Sequence, residues 1–155
     1  MPRILAVDWG ERRVGLAVCD PTGTLAYGLQ TLEVRSAADA VEQVARAARE
    51  VEAESVVVGL PLLLSGERGS AAIAAEKFAA ALVPATGLPV ATYDERMTSA
   101  LAGRRMQERG ERGRPKGRVD QDAAIALLES WLQKLETDRR RAAEHLEQEE
   151  QKDQP

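Results

Sequence analysis

The sequence predicts an α/β domain built on a mixed five-stranded sheet, a three-stranded antiparallel meander plus two parallel strands, flanked by helices. Three observations carry that reading. The apolar run Ile4-Leu5-Ala6-Val7 stops at Asp8-Trp9-Gly10 and resumes as Val14-Gly15-Leu16-Ala17-Val18-Cys19, the pattern of a hairpin closed by a short polar loop. Val56-Val57-Val58 is short, continuous and β-branched, as befits a central parallel strand covered on both faces. After these strands apolar residues recur at helical spacing, so strands and helices alternate along the chain.

The elements follow in order. Asp20-Pro21-Thr22-Gly23 has the residues of a type I turn, with aspartate first, proline second and glycine fourth. Leu25, Tyr27, Leu29 and Thr31 then alternate with small or polar neighbours, which predicts one half-buried third strand completing the meander. Ser36 and Asp39 have the spacing of a capping box, and Val41, Val44, Ala45, Ala48 and Val51 share one face of the helix that follows. Residues 55–59 form the fourth strand. The loop over 62–69 is rich in leucine and glycine, which suggests an exposed apolar contact. Ser70 is placed to cap a second helix, with Ala71, Ala75, Phe78 and Leu82 toward the core.

Residues 89–93 make the fifth strand, and Thr98 starts a third helix through Ala102 and Met106. From Val119 a last helix carries Ile125, Leu128, Leu132 and Leu135 on one face, with Trp131 beside them. Beyond Thr137 charges of both signs replace large apolar residues, so a solvated helical extension that frays is expected. The chain therefore divides into a domain over 1–136 and a charged extension over 137–155.

Three segments far apart in sequence bring acids to places where an α/β sheet holds its ligands. Asp8 closes the first strand, Asp94 and Glu95 close the fifth, and Asp120 and Asp122 open the last helix. Each has a plainer reading alone: Asp8 as a turn former, the helical acids as caps favoured by the helix dipole. Their convergence is what independent turns and caps do not explain. Strand alternation sends Asp94 and Glu95 to opposite faces, and the longer Glu95 is better able to reach across an intervening strand toward Asp8. Gly59 at the end of the fourth strand either lets a ligand approach the backbone or serves packing. Between the fifth strand and the last helix, Arg104, Arg105, Arg109, Arg112, Arg114, Lys116 and Arg118 stand against only Glu108 and Glu111. That segment is either a solvated loop or a phosphate-backbone contact, a role that suits arginine's fork of donors.

Composition narrows the chemistry. With 155 residues, 44% of them hydrophobic and 30% charged, the chain fits one globular domain with a real core. No apolar run approaches membrane-spanning length and no leader-like segment opens the sequence, so a cytoplasmic protein is expected. Cys19 sits in an apolar strand and His145 in the charged tail, which rules out a Cys/His metal cluster and leaves oxygen donors, hence Mg2+ or Mn2+. A net charge of -4 gives no global nucleic-acid footprint, so any such contact is local. Aromatics are only 3% of residues, which favours backbone and shape contacts over stacking of single strands.

The order of parts resembles the ribonuclease H-like arrangement. More closely, Asp8-Trp9-Gly10 with Arg13-Val14-Gly15, then Gly59-Leu60-Pro61, then Asp94-Glu95-Arg96-Met97-Thr98, then Val119-Asp120 with Ala123-Ala124 and Leu128 resemble the motifs of the YqgF/RuvX family, pre-16S rRNA nucleases also described as Holliday-junction-resolvase-like. The resemblance covers residues 1–135. It implies a metal-dependent nuclease for structured RNA or branched DNA, with Asp8, Glu95 and Asp120 as catalytic metal ligands; Asp122 departs from the family by adding an acid where a neutral residue is common, and is a candidate substitute or supplementary ligand. It also implies substrate contacts at Gly10, Arg13, Gly59, Arg96 and Thr98, extended by Arg112, Arg114, Lys116 and Arg118. Leu63, Leu64 and Ser65 depart from the family's more polar loop. The expected partner is nucleic acid, with no membrane and a monomer or homodimer as the acting form. Asp8-x-Gly10 followed by Gly15 also resembles the phosphate motif of the actin and sugar-kinase superfamily, but one domain is too short for that two-lobed fold. A non-catalytic nucleic-acid-binding module of the same fold is the main alternative, disfavoured because all three acids are present.

Overall fold

In the computed structural model, which describes residues 3–61, 69–94 and 116–154 (the side chains of 116–120 excepted), nine elements follow in order. They are β1 Ile4–Asp8, β2 Arg13–Cys19, β3 Ala26–Gly28, β4 Leu32–Glu33, α1 Ala37–Glu50, β5 Ser55–Leu60, α2 Ser70–Thr86, β6 Val90–Asp94 and α3 Lys116–Lys152. The sheet runs β3-β2-β1-β5-β6, with β4 paired to β2 off that path. β1 pairs antiparallel with β2 and parallel with β5, and β5 pairs parallel with β6. The meander and the two parallel strands are those expected from sequence.

Alternation along the central strands builds two cores. Leu5 and Val7 of β1, Val14 and Leu16 of β2, and Val56 and Val58 of β5 face Ala40, Val44 and Ala48 of α1 and Phe78, Ala79 and Leu82 of α2. Ile4, Ala6, Ala17, Cys19 and Val57 point the other way, against Ala124, Leu127 and Leu128 of α3. Sheet strands covered on both faces cannot alternate apolar with polar, which is why β1, β2 and β5 read as unbroken apolar runs. Each fully buried Val or Leu contributes about 1.5–3 kcal/mol relative to exposure.

The third strand is not continuous. Leu29 and Leu32 both pack into the α1/α2 core, and a separation of three residues is incompatible with the two-residue period of a strand. The chain therefore breaks between them, giving β3 and β4 as separate partners of β2, while Leu25 is 67% exposed. Helix α1 starts as its residues predict: Ser36 Oγ accepts from the Asp39 amide at 3.1 Å and Asp39 Oδ2 accepts from the Arg35 amide at 2.9 Å. Helix α2 does not. Gly69 is its N-cap, Ser70 is its first residue and makes no capping bond, and Ala72 rather than Ala71 is buried. The last helix begins earlier than expected, at Lys116, so Lys116 and Arg118 have helical backbone rather than lying in a loop. It then continues unbroken to Lys152. The leucine-rich loop after Pro61 and the helix expected through Ala102 and Met106 lie outside the described residues.

Candidate active site at the end of the parallel strands

Asp8 is the last residue of β1 and is half-buried. It shares the parity of Ile4 and Ala6, so it belongs to the face covered by α3. Its neighbour Trp9 continues the alternation to the opposite face, where its ring meets Phe78 of α2 with centroids 6.1 Å apart. Anchoring Trp9 in the α1/α2 core fixes the direction of the strand end that carries the carboxylate. The turn after Trp9 is tight: a Cβ on Gly10 would lie 2.5 Å from the Arg13 carbonyl oxygen. Glycine is required here by close approach of backbone to backbone.

The register aligns the other site residues with Asp8. Asp8 stands opposite Gly15 of β2. On the parallel side Val7 pairs with Val58, so one step further Gly59 lies beside Asp8, and Gly59 in turn pairs with Tyr93. Asp8, Gly59 and Tyr93 thus form one row across three strands. Gly59 contributes no side chain to that row. Tyr93 lies on the α3 face, where its hydroxyl is 2.9 Å from Ser130 Oγ and its ring meets Trp131 edge-on at 5.4 Å.

Asp94 is the last residue of β6 and pairs with Leu60. Its parity is that of Val90, which packs into the α1/α2 core, so alternation places it on the face away from Asp8. Helix α3 crosses the Asp8 face with a definite direction. Gln121 and Ile125 lie against Gly28, which is level with the middle of β2, while Leu132 and Leu135 line a cleft with Ile4 and the Thr22–Thr24 turn at the far end. Traced backward, the helix heads toward the end of the sheet that carries Asp8. Position 120 is one turn before the buried Ala124, and the half-buried Asp122 is one turn before the equally buried Ala126.

Glu95, Arg96, Thr98, Arg112 and Arg114 lie outside the described residues, as do the side chains of Lys116, Arg118 and Asp120. Arg13 begins β2 opposite Glu33 and has the parity of Gly15 and Ala17, which puts it on the Asp8 face. Two neighbours that sequence reasoning passed over, Arg12 and Arg35, line a cleft with it. Their proximity depends on the pairing of β4 with β2, for which the sequence carries no local signal.

Among the described residues no three acidic, histidine or cysteine side chains are grouped so that they could hold a metal ion. Asp8 offers an oxygen donor of the kind a hard divalent cation takes, while Cys19 is buried beside Ile4 at the other end, where its Sγ accepts from the Ile4 amide at 3.2 Å, and His145 is on the distant part of α3.

A mixed sheet with a three-stranded meander and two parallel strands, its first strand closed by an aspartate and one face covered by a long last helix, is a ribonuclease H-like fold. Solved structures agree on that fold. RuvC from Thermus thermophilus superposes with a TM-score of 0.54 at 20% identity, over 87% of this chain and 97% of that one. The Holliday junction resolvase of fowlpox virus does so with a TM-score of 0.53 at 14% identity, over 86% and 99%. The model of the RuvX family, described as Holliday junction resolvase, matches residues 2–134, and the chain belongs to that family. Curated relatives include proteins named "Putative pre-16S rRNA nuclease": one from Anaeromyxobacter sp. (strain K), 40% identical over 131 residues, 84% of this chain and 96% of the relative, and one from Koribacter versatilis, 41% identical over 138 residues, 88% and 90%. Among the described residues no helix is long and apolar enough to cross a membrane.

Proposed function

We propose that this protein is a metal-dependent nuclease that cleaves phosphodiester bonds in structured nucleic acid, acting on the 5' end of pre-16S rRNA, on branched DNA, or on both. The observation that carries the reading is the row Asp8–Gly59–Tyr93: an acid at the end of β1, level with a glycine on β5 and with Tyr93 on β6, two residues before Glu95 in the sequence. Asp8, Glu95 and Asp120 are the proposed ligands of Mg2+ or Mn2+. Bound there, the metal would supply an activated water nucleophile and stabilise the leaving oxygen.

The chain's own contributions are separable. Trp9 and Gly10 hold Asp8 in direction, and Arg13 on the same face is the proposed contact to a substrate phosphate. Gly10, Gly59, Arg96 and Thr98 complete the proposed immediate contacts, and Arg112, Arg114, Lys116 and Arg118 the wider ones. Asp122 is proposed as a substitute or supplementary ligand. Residues 1–136 are the proposed catalytic domain and 137–155 a charged extension, and the protein is assigned to the cytoplasm, where its substrates are.

Strand alternation is expected to separate the adjacent acids Asp94 and Glu95, and that difference supplies the test. Glu95→Gln is expected to lose cleavage with little change in stability, whereas Asp94→Asn, on the face away from Asp8, keeps appreciable activity. Single-turnover cleavage of a structured RNA and of a four-way DNA junction, with thermal melting of both variants, checks this. An active Glu95→Gln beside a folded but inactive Asp94→Asn would reverse the assignment.

A further inference from the structure

Where β2 begins and β4 pairs with it lies a cleft of about 610 Å³ lined by Arg12, Arg13, Glu33, Val34 and Arg35. Three arginines and one glutamate contribute its charged side chains. The walls are held by backbone bonds: the Val34 amide donates to the Arg12 carbonyl at 2.9 Å, and Arg13 and Val14 pair with Glu33 and Leu32. Gln43 of α1 adds a bond from Nε2 to the Glu33 carbonyl at 2.9 Å, which ties β4 to the helix. Arg12 and Arg35 are exposed, so neither supports the core. Arg13 lies two residues beyond Gly15, the partner of Asp8, a displacement of about 7 Å along the strand.

We propose that Arg12, Arg13 and Arg35 form a backbone-binding cleft for the duplex arm that leads away from the scissile phosphate on the β2/β4 side, with Arg12 and Arg35 gripping phosphates. The proposal rests on the nuclease reading and deepens it by naming the arm and its contacts. Among the described residues no aromatic side chain lines the cleft, so unpaired bases find no stacking surface on them. What it offers is a concentration of donor forks on a rigid support, which matches the oxygens of a phosphodiester backbone and reads no sequence. A duplex presents such oxygens in a fixed array, whether it is an RNA stem or an arm of a DNA junction.

The experiment compares two double variants with equal change of charge. Arg12→Gln/Arg35→Gln removes two exposed charges from the cleft, while Arg139→Gln/Arg140→Gln removes two from α3, where both pair with Glu136. Binding to an RNA stem-loop, to a four-way DNA junction and to an unstructured single strand is measured against salt in an Asp8→Asn background. The cleft variant is expected to lower the slope of log affinity against log salt by about 1.8 on duplex DNA, at about 0.9 per lost phosphate contact, and to weaken both duplex ligands more than the single strand. The α3 variant is expected to match the parent. Equal slopes for cleft variant and parent, or an equal loss in both double variants, would overturn the cleft proposal while leaving the nuclease standing. A parent that binds none of the ligands, and a wild type that cuts none, would instead remove the nuclease reading and the cleft with it.

Discussion

Replacing Gly10 by alanine perturbs the site through one contact whose size is known. The new Cβ would lie 2.5 Å from the Arg13 carbonyl oxygen, where ordinary contact begins at 3.4 Å, so the hairpin must open by nearly 1 Å. The obstacle is backbone, and it cannot swing aside as a side-chain end would. Overpacking of this kind costs about 1–3 kcal/mol. For a chain of this length that corresponds to a fall in Tm of roughly 2–4 °C per kcal/mol, or about 4–8 °C for a 2 kcal/mol cost. Opening the turn also moves Asp8 relative to Arg13, and displacements of 1 Å in a catalytic arrangement cost about 100-fold in rate. Gly28→Ala is the matched control: its Cβ would be 3.2 Å from Gln121 Cβ and 3.3 Å from Ile125 Cδ1, both side-chain atoms. Gln121 Cβ is fixed to α3, so the few tenths of an ångström needed there must come from the helix, and they are set against the lower unfolded-state entropy of alanine, about 0.4–1 kcal/mol; its Tm should fall less than that of Gly10→Ala. Thermal melting and single-turnover cleavage on the same preparations decide the matter. A Gly10→Ala protein with parental Tm and parental rate would refute the idea that this turn sets the position of Asp8.

Ser36→Ala removes the side-chain acceptor of the Asp39 amide and should cost about 1 kcal/mol, seen as a lower denaturant midpoint with unchanged slope. Asp20 accepts from the Thr22 hydroxyl, which does most to hold its carboxyl below the usual carboxylate range, and from the Leu25 and Thr24 amides. A depressed folded-state pKa means that its stabilisation is present above the unfolded value and is lost as pH falls through the folded one. Asp20→Asn should therefore melt below the parent at pH 7, with the gap closing progressively as pH drops below about 4. A gap that persists unchanged at pH 2 would contradict the carboxylate's role.

Those residues also show which parts of the molecule were legible before folding. β1, β2 and β5 announce themselves because a strand covered on both faces has to be apolar throughout, and the Ser36/Asp39 cap is a local pattern satisfied by local atoms. The broken third strand was hidden. Leu25, Tyr27, Leu29 and Thr31 keep a two-residue rhythm, but Leu32 returns to the side of Leu29, and only the shape of the α1/α2 core makes that return necessary. The early start of α3 at Lys116 was hidden in a run of arginine and glycine that carries no apolar period.

Site geometry divides in the same way. Asp8 was legible as a strand-terminal acid, but its side of the sheet follows from parity with Ile4 and Ala6 against α3. For Asp94 the sequence carries only the alternation, and the pairing of β6 with β5 supplies the face, that of Val90. Arg12 and Arg35 are separated by the whole of β2 and β3 in sequence, and only the return of β4 to the start of β2 brings them together.

The most direct measurement is cleavage by Asp8→Asn, which removes one carboxylate oxygen's charge at nearly constant volume at the end of β1. Purified wild type and variant are assayed side by side on a structured RNA and a four-way DNA junction, with Mg2+, with Mn2+ and with chelator, and binding and Tm are recorded for both. The account predicts metal-dependent cutting by the wild type and loss of cutting by the variant, with fold and binding retained. Undiminished cleavage by a folded Asp8→Asn, or wild-type cleavage that persists in chelator, would contradict it.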